Sequence, residues 1–227
     1  MTLSLFEQFE INSTFGVPVI ILAFTLPWLL IATPSRKLLT NRLVSVQKRF
    51  IRWVVKELIR PMSLGGHKWA LLLTSLLLFI MTLNIFGLLP HSFTPTTQLA
   101  MNLGLSVPLW MATVIVGFRK HRSAALAHFL PLGAPNALIP ILVIIELISL
   151  IVRPLALAVR LTANITAGHL MMQIVATGAQ VLIPLMPVTA FITLLTLILF
   201  FILEAAMALV QAYVFVLLLS LYLEESQ

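Results

Sequence analysis

Residues Ala137–Leu182 read ALIPILVIIELISLIVRPLALAVRLTANITAGHLMMQIVATGAQVL. A helix needs only about 20 apolar residues to cross some 30 Å of hydrocarbon. This run is more than twice as long, and it carries Glu146, Arg153, Arg160, Asn164 and His169. An ionisable side chain at the centre of a bilayer costs roughly 2.5–3.5 kcal/mol on insertion scales, so several in one apolar run need a reason. Spacing supplies order. Glu146, Arg153, Arg160 and Asn164 are separated by seven, seven and four residues. At about 100° per residue they fall within about 40° of one another and form a polar stripe. Nine residues beyond Arg160, His169 falls about 180° away if the helix continues past Gly168, with Gln173 one turn further on. Pro154 is expected to bend the helix just before Arg160.

A second apolar run, Val188–Leu223, follows a break containing Gly178, Pro184 and Pro187. As helix it would extend about 54 Å, so a strongly tilted pair of helices is expected over 137–182 and 188–223. Glu204 and Gln211 share a face of the second helix with Thr189, Thr193 and Thr196, within about 80°. Polar groups on opposed faces of a tilted helix suit two separate aqueous routes, one from each side of a membrane, with Arg160 between them. Glu, His, Gln and Thr side chains exchange protons or order water. Arginine does not give up its proton and acts as a fixed charge. Two other roles compete for these residues. Arg160 could form a structural ion pair with Glu204, and Asn164 and Gln211 could be interhelical hydrogen-bond glue. Arg153 is expected to snorkel or meet a partner, with Glu146 too far along the axis for direct contact.

Composition agrees with lipid as solvent. The 227 residues are 60% hydrophobic and 9% charged, with a mean hydropathy of +1.09, whereas soluble domains are about a quarter charged. The fold class expected is all-α integral membrane, a single membrane domain over 1–227 with about five membrane helices and one interfacial helix. The net charge of +7 does not indicate nucleic acid, because it is not spread over a binding face. Nine of the 14 Lys and Arg lie between Arg36 and Lys68, and three more are Arg119, Lys120 and Arg122. Such clusters mark loops on the negative side of an energised membrane.

The remaining spans follow from these clusters. Residues 15–32 form a first apolar run that leads into the basic block, which puts the N-terminus on the outer side. Two acids, Glu7 and Glu10, precede it instead of a basic segment, and it reads as a retained span. Residues 36–60 are amphipathic: Leu39, Leu43, Val46, Phe50 and Val54 alternate at helical spacing with Asn41, Ser45, Lys48, Arg52 and Lys56. An interfacial helix with its cations toward headgroups fits this pattern. Spans at 69–89 and 99–118 follow, joined by the uncharged turn His91–Gln98, and both basic clusters give the same orientation.

Several chemistries are excluded. With no cysteine, disulfides and thiol chemistry are absent. No HExxH, Gly-rich phosphate loop or GxSxG is present, so neither metal, ATP nor any cofactor is expected on this chain.

The stretch LALAVRLTANITAGHL, Leu155–Leu170, resembles the signature of the proton-channel subunit family of rotary F-type ATP synthases, in its animal mitochondrial form. LLPHSFTPTTQLAMNL (Leu88–Leu103) and EAAMALVQAYVFVLLLSLYL (Glu204–Leu223) are similar to the same family. The resemblance implies a proton-translocating stator subunit, not an enzyme by itself, whose two half-channels meet a ring of c subunits. It maps the essential cation to Arg160 and proton-route positions to Asn164, His169, Glu204 and Gln211, with acid and histidine exchanged in bacterial relatives. Glu146, Gln173 and Arg153 are further candidates. Implied partners are the c-ring carboxylates, other membrane and peripheral-stalk subunits, and lipid, with cardiolipin at the 36–60 helix. The implied location is the mitochondrial inner membrane, with the N-terminus toward the intermembrane space and basic loops toward the matrix. Two rival readings are a rotor-independent proton channel or secondary transporter, which would need repeats not seen here, and a passive assembly subunit.

Overall fold

A computed structural model describes residues 9, 13–14, 17–31, 42–59, 66–89, 93–120 and 139–225. Six α-helices carry the chain: α1 (Val19–Ile31), α2 (Arg42–Ile59), α3 (Ala70–Gly87), α4 (Leu99–Lys120), α5 (Ile139–Leu185) and α6 (Pro187–Glu225). Before α1, the two-residue strands Ser13–Thr14 and Val17–Pro18 pair antiparallel. The segment entering α3, together with α3 itself, and helices α4, α5 and α6 are each long and apolar enough to cross a membrane. The expected all-α membrane architecture holds. Helix α1 has 13 residues, about 20 Å, and residues 15–16 and 32 of the expected first span lie outside the described residues. So do 36–41 and 60 of the interfacial helix, His91, Arg122 and 137–138.

The chain divides into two compact units. The first takes α1, the end of α3 from Leu77, α5 from Arg160 and α6 up to Val214. Here Phe24 of α1 stacks on Phe79 of α3, ring centroids 6.0 Å apart and planes 5° from parallel. Helix α3 stops where Leu88 and Leu89 donate to the carbonyls of Ile85 and Phe86, tightening its last turn. Gly87 is required there, since a Cβ would sit 2.5 Å from Thr94 Cγ2.

The second unit takes α2, the start of α3, α4, the first part of α5 and the end of α6. Helix α2 buries Val54 and Leu58. Val46 and Phe50, expected on the same apolar face as Val54, are exposed beside Trp53. The apolar arc of α2 is wider than the contact it makes, and its uncovered edge borders Arg42, Arg49 and Lys56. Helix α4 buries Asn102, Ser106, Trp110 and Thr113 along one side.

Helices α5 and α6 have 47 and 39 residues, about 70 and 58 Å. Both exceed a perpendicular span, as expected. The break is shorter than expected: α5 continues through Gly178 and Pro184, and only Met186 separates the helices. Met186 N–H still donates to Leu182 O at 2.9 Å and Ala190 N–H to Met186 O at 3.0 Å. Proline near a helix end is tolerated in lipid when neighbouring groups keep the backbone bonded. The threonines of α6 also serve their own backbone. Thr189, Thr193 and Thr196 donate to the carbonyls of Met186, Ala190 and Thr193, the usual way a hydroxyl is satisfied in an apolar helix.

Candidate functional site

The candidate site lies in the first unit, where α5 and α6 run antiparallel. Asn164 donates through Nδ2 to Gln211 Oε1 at 2.9 Å. Further along, His169 Nε2 lies 3.6 Å from Glu204 Oε1. Glu204 and Gln211 are only 6% and 5% exposed. Small residues allow the approach: on α6 Ala208 is buried between these two contacts and Ala212 is buried just beyond Gln211.

Helix α5 runs unbroken past Gly168, so the wheel positions can be read directly. Asn164 and His169 stand about 140° apart, and yet both reach α6. The buried residues Leu157, Ala158, Leu161 and Ile165 fall between them and mark the seam. Asn164 and His169 therefore flank that seam on either side, about 70° from its centre. The polar groups converge on one neighbouring helix instead of facing opposite surroundings. Arg160 lies about 110° from the seam on the same wheel, and its side chain is exposed.

Among the described residues, the Arg160 side chain has no hydrogen-bond or ion-pair partner. Glu204, the candidate for a structural ion pair, is turned to His169 instead. Around the cation, Ala156, Ala163 and Ala167 fall with it within about 60° of the wheel; Ala163 and Ala167 are exposed. A single cation thus stands in a patch of small side chains against which another helix can pack closely. The sequence reading missed this patch, although alanines at three- and four-residue intervals around Arg160 were its signal.

Gly168 was also missed. A Cβ at this position would sit 2.9 Å from both Cδ and Oε1 of Glu204. The bare Cα makes room for the carboxylate beside His169. Neither Glu204 oxygen accepts a hydrogen bond from a described residue, and Gln173 Oε1 is likewise buried without a donor. Gly168→Ala is expected to assemble normally, because the end of a glutamate can rotate away. If the seam carries protons, as the resemblance implies, flux per assembled complex is expected to fall by about tenfold to hundredfold, the effect of displacing a reacting group by an ångström. Flux measured in vesicles at matched complex content checks this.

Two candidates lie elsewhere. In the second unit Arg153 Nη2 is 3.8 Å from Glu146 Oε1, and its guanidinium lies 5.2 Å from the centre of the Tyr222 ring. The heptad separation does not prevent contact, contrary to expectation. Helical side chains lean toward the N-terminus, so a long arginine reaches back two turns. Arg153 therefore has both an acid and an aromatic face as partners. Tyr222→Leu is expected to destabilise by about 0.5–1 kcal/mol, with Tyr222→Phe nearly neutral because the ring is retained. A double-mutant cycle with Arg153→Gln, read as thermal stability of the purified complex, measures the coupling.

The ATP synthase A chain family model matches residues 14–224. ATP synthase F(0) complex subunit a of Salmo salar is 59% identical over 226 residues, covering 100% of both chains. The same-named proteins of Gadus morhua and Scyliorhinus canicula are 57% and 54% identical, again over 100% of both chains.

Proposed function

The chain belongs to the ATP synthase A chain family, and from that premise we propose that Arg160 is its coupling charge toward a rotating ring of carboxylates. A proton enters by one half-channel and neutralises a ring carboxylate. The neutral acid tolerates lipid, so the ring carries it away. After nearly a full turn the acid meets the second half-channel and Arg160, whose fixed charge favours the ionised form and releases the proton. The same charge blocks a direct leak. The membrane potential supplies about 2.3 kcal/mol per charge per 100 mV. Asn164, His169, Glu204 and Gln211 line the path and Gln173 extends it, while Glu146 is a further proton-route candidate within the second unit. The chain is not an enzyme by itself: ATP forms elsewhere in the complex.

The observation that carries this reading is the exposed Arg160, without a partner among the described residues, in its alanine patch. A charge in an apolar helix needs a counter-charge, and this one faces outward from its own pair of helices. A rotor-independent channel would be expected to supply that carboxylate internally, and the acid nearest in sequence role, Glu204, is committed to His169. The proposed location is the mitochondrial inner membrane, with residues 15–32 crossing first, the N-terminus toward the intermembrane space and the basic loops toward the matrix. Helix α2 lies at the surface, its exposed Val46, Phe50 and Trp53 at the acyl boundary and its cations on anionic headgroups such as cardiolipin. Other membrane and peripheral-stalk subunits complete the stator.

The test compares proton flux through vesicles holding the membrane sector before and after a carbodiimide modifies the ring carboxylates. Flux should stop. Flux that persists would favour a channel without a rotor.

A further inference from the structure

The turns that join α3 to α4 and α5 to α6 are built from opposite chemistry. The first, His91–Gln98, carries six polar side chains in eight residues. The second, Val181–Val188, reads VLIPLMPV and carries none. It belongs wholly to the first unit, and no Lys, Arg, Asp or Glu lies between Arg160 and Glu204. Its side chains do not turn inward: Leu185, Met186, Val188 and Phe191 are 60–74% exposed. An apolar cluster this open is unfavourable in water and marks a surface that something apolar covers.

The backbone of this turn is closed in on itself. Met186, the one residue outside both helices, donates its N–H to Leu182 O at 2.9 Å. Its carbonyl accepts from Ala190 N–H at 3.0 Å and from the Thr189 hydroxyl at 2.8 Å. A helix start leaves four N–H groups without partners. At the start of α6, Pro187 has no N–H to leave, and that of Ala190 is already bonded. Water would make such sealing unnecessary, whereas in hydrocarbon each unsatisfied group costs several kcal/mol. The N–H groups of Val188 and Thr189 set the depth: the acyl boundary just beneath the headgroups, not the bilayer centre. Resting on the membrane reading and orientation proposed above, we infer that the α5–α6 turn is a lipid-facing surface covered by acyl chains of the outer leaflet. A docked helix fits less well. Every residue from Ile183 to Thr189 is exposed, so the tip is open all round; one helix would cover a single stripe, while fluid chains cover every side. Lipid there closes the end of the hairpin to water. A proton from the outer side then reaches Glu204 along the flank of the hairpin and not around its tip.

The native chain has no cysteine, so Met186→Cys in the assembled complex gives it a single thiol to follow. The complex is placed in vesicles of phosphatidylcholine and cardiolipin, with a charged, membrane-impermeant maleimide on both faces. Labelling is expected to be at least about tenfold slower than for Phe93→Cys in the polar turn, because a thiol in apolar surroundings forms little thiolate. A second readout identifies what covers the turn. Met186→Cys is modified with a benzophenone maleimide in detergent, reconstituted into the same vesicles and irradiated. A phospholipid adduct on this chain is expected. Labelling as fast as in Phe93→Cys, or an adduct mainly to another subunit, overturns the proposal. Should Met186→Cys fail to assemble, Val188→Cys takes its place in both readouts. Proton flux in the same vesicles keeps the parent reading separate: its loss on carboxylate modification supports the ring mechanism wherever the turn lies.

Discussion

With Arg160 replaced by alanine, the complex is expected to assemble and to lose ATP-driven proton pumping. The expectation rests on where the side chain stands. Arg160 is exposed and has no partner among the described residues, so its removal leaves no buried acid behind in this chain. The buried residues around it on α5, Leu157, Ala158 and Leu161, keep the seam with or without it. Stability should therefore change little. Coupling should change greatly. Two unit charges about 4 Å apart interact by about 4 kcal/mol at an effective dielectric near 20. Losing that preference for the ionised ring carboxylate slows proton release by about three orders of magnitude. Passive leak should rise as well, because the fixed charge no longer separates the two routes. Lysine is a poor substitute: it is a compact point charge without the planar fork, and it gives up its proton when desolvated. Arg160→Lys is expected to assemble and pump at a small fraction of the wild-type rate. Proton uptake into vesicles, normalised to complex content, measures both variants.

The second large effect concerns His169 and Glu204. They stand 3.6 Å apart across α5 and α6, and the proposed function treats them as one pair. Glu204→Ala is expected to cut proton flux by about a hundredfold or more, the scale on which a positioned proton-exchanging group acts. Single exchanges should do no better. Glu204→His sets two imidazoles against each other, and His169→Glu sets two carboxylates together, where one ionised acid disfavours the other. The double exchange restores one acid and one imidazole at the same seam. It is expected to recover flux to within about tenfold of wild type. Recovery would show that the seam needs the pair and not the order. Failure of the double exchange alongside an intact complex would assign the two side chains separate duties.

The architecture was largely legible, and the reasons are physical. Apolar runs longer than a membrane is thick declare themselves from composition alone, and α3 to α6 are of that kind. Of the cations expected to mark loops, Arg42, Lys48, Arg49, Arg52 and Lys56 fall on α2 itself, and Arg119 and Lys120 close α4. Less legible was where α5 ends. Gly178 and Pro184 looked like breakers, yet the helix continues to Leu185 because lipid gives the backbone no alternative partner. That boundary matters, since the antiparallel register is counted from it. His169 and Glu204 lie at nearly equal distances from Met186, and neither could be paired with confidence until the turn was located.

The site was legible as a set of residue types and not as contacts. A helical wheel put Asn164 and His169 on different faces, and only the neighbouring helix shows that both reach it. Residues that act by being small, such as Gly168 and Ala208, carry no charge to draw attention. The contact between Arg153 and Glu146 was missed for a simpler reason: axial distance between backbones was considered and side-chain reach was not.

The central claim is that Arg160 faces a carboxylate-bearing helix outside this chain. Ala163 is exposed and within about 60° of Arg160 on the wheel. The native chain contains no cysteine, so Ala163→Cys adds one thiol to it at that face. The decisive measurement is disulfide formation between this cysteine and single cysteines placed along the ring subunit. The account predicts a cross-link to ring positions within one or two turns of the carboxylate, and loss of ATP-driven pumping once it forms. A cross-link formed only with other stator subunits, while the ring cysteines near the carboxylate stay free, would contradict it.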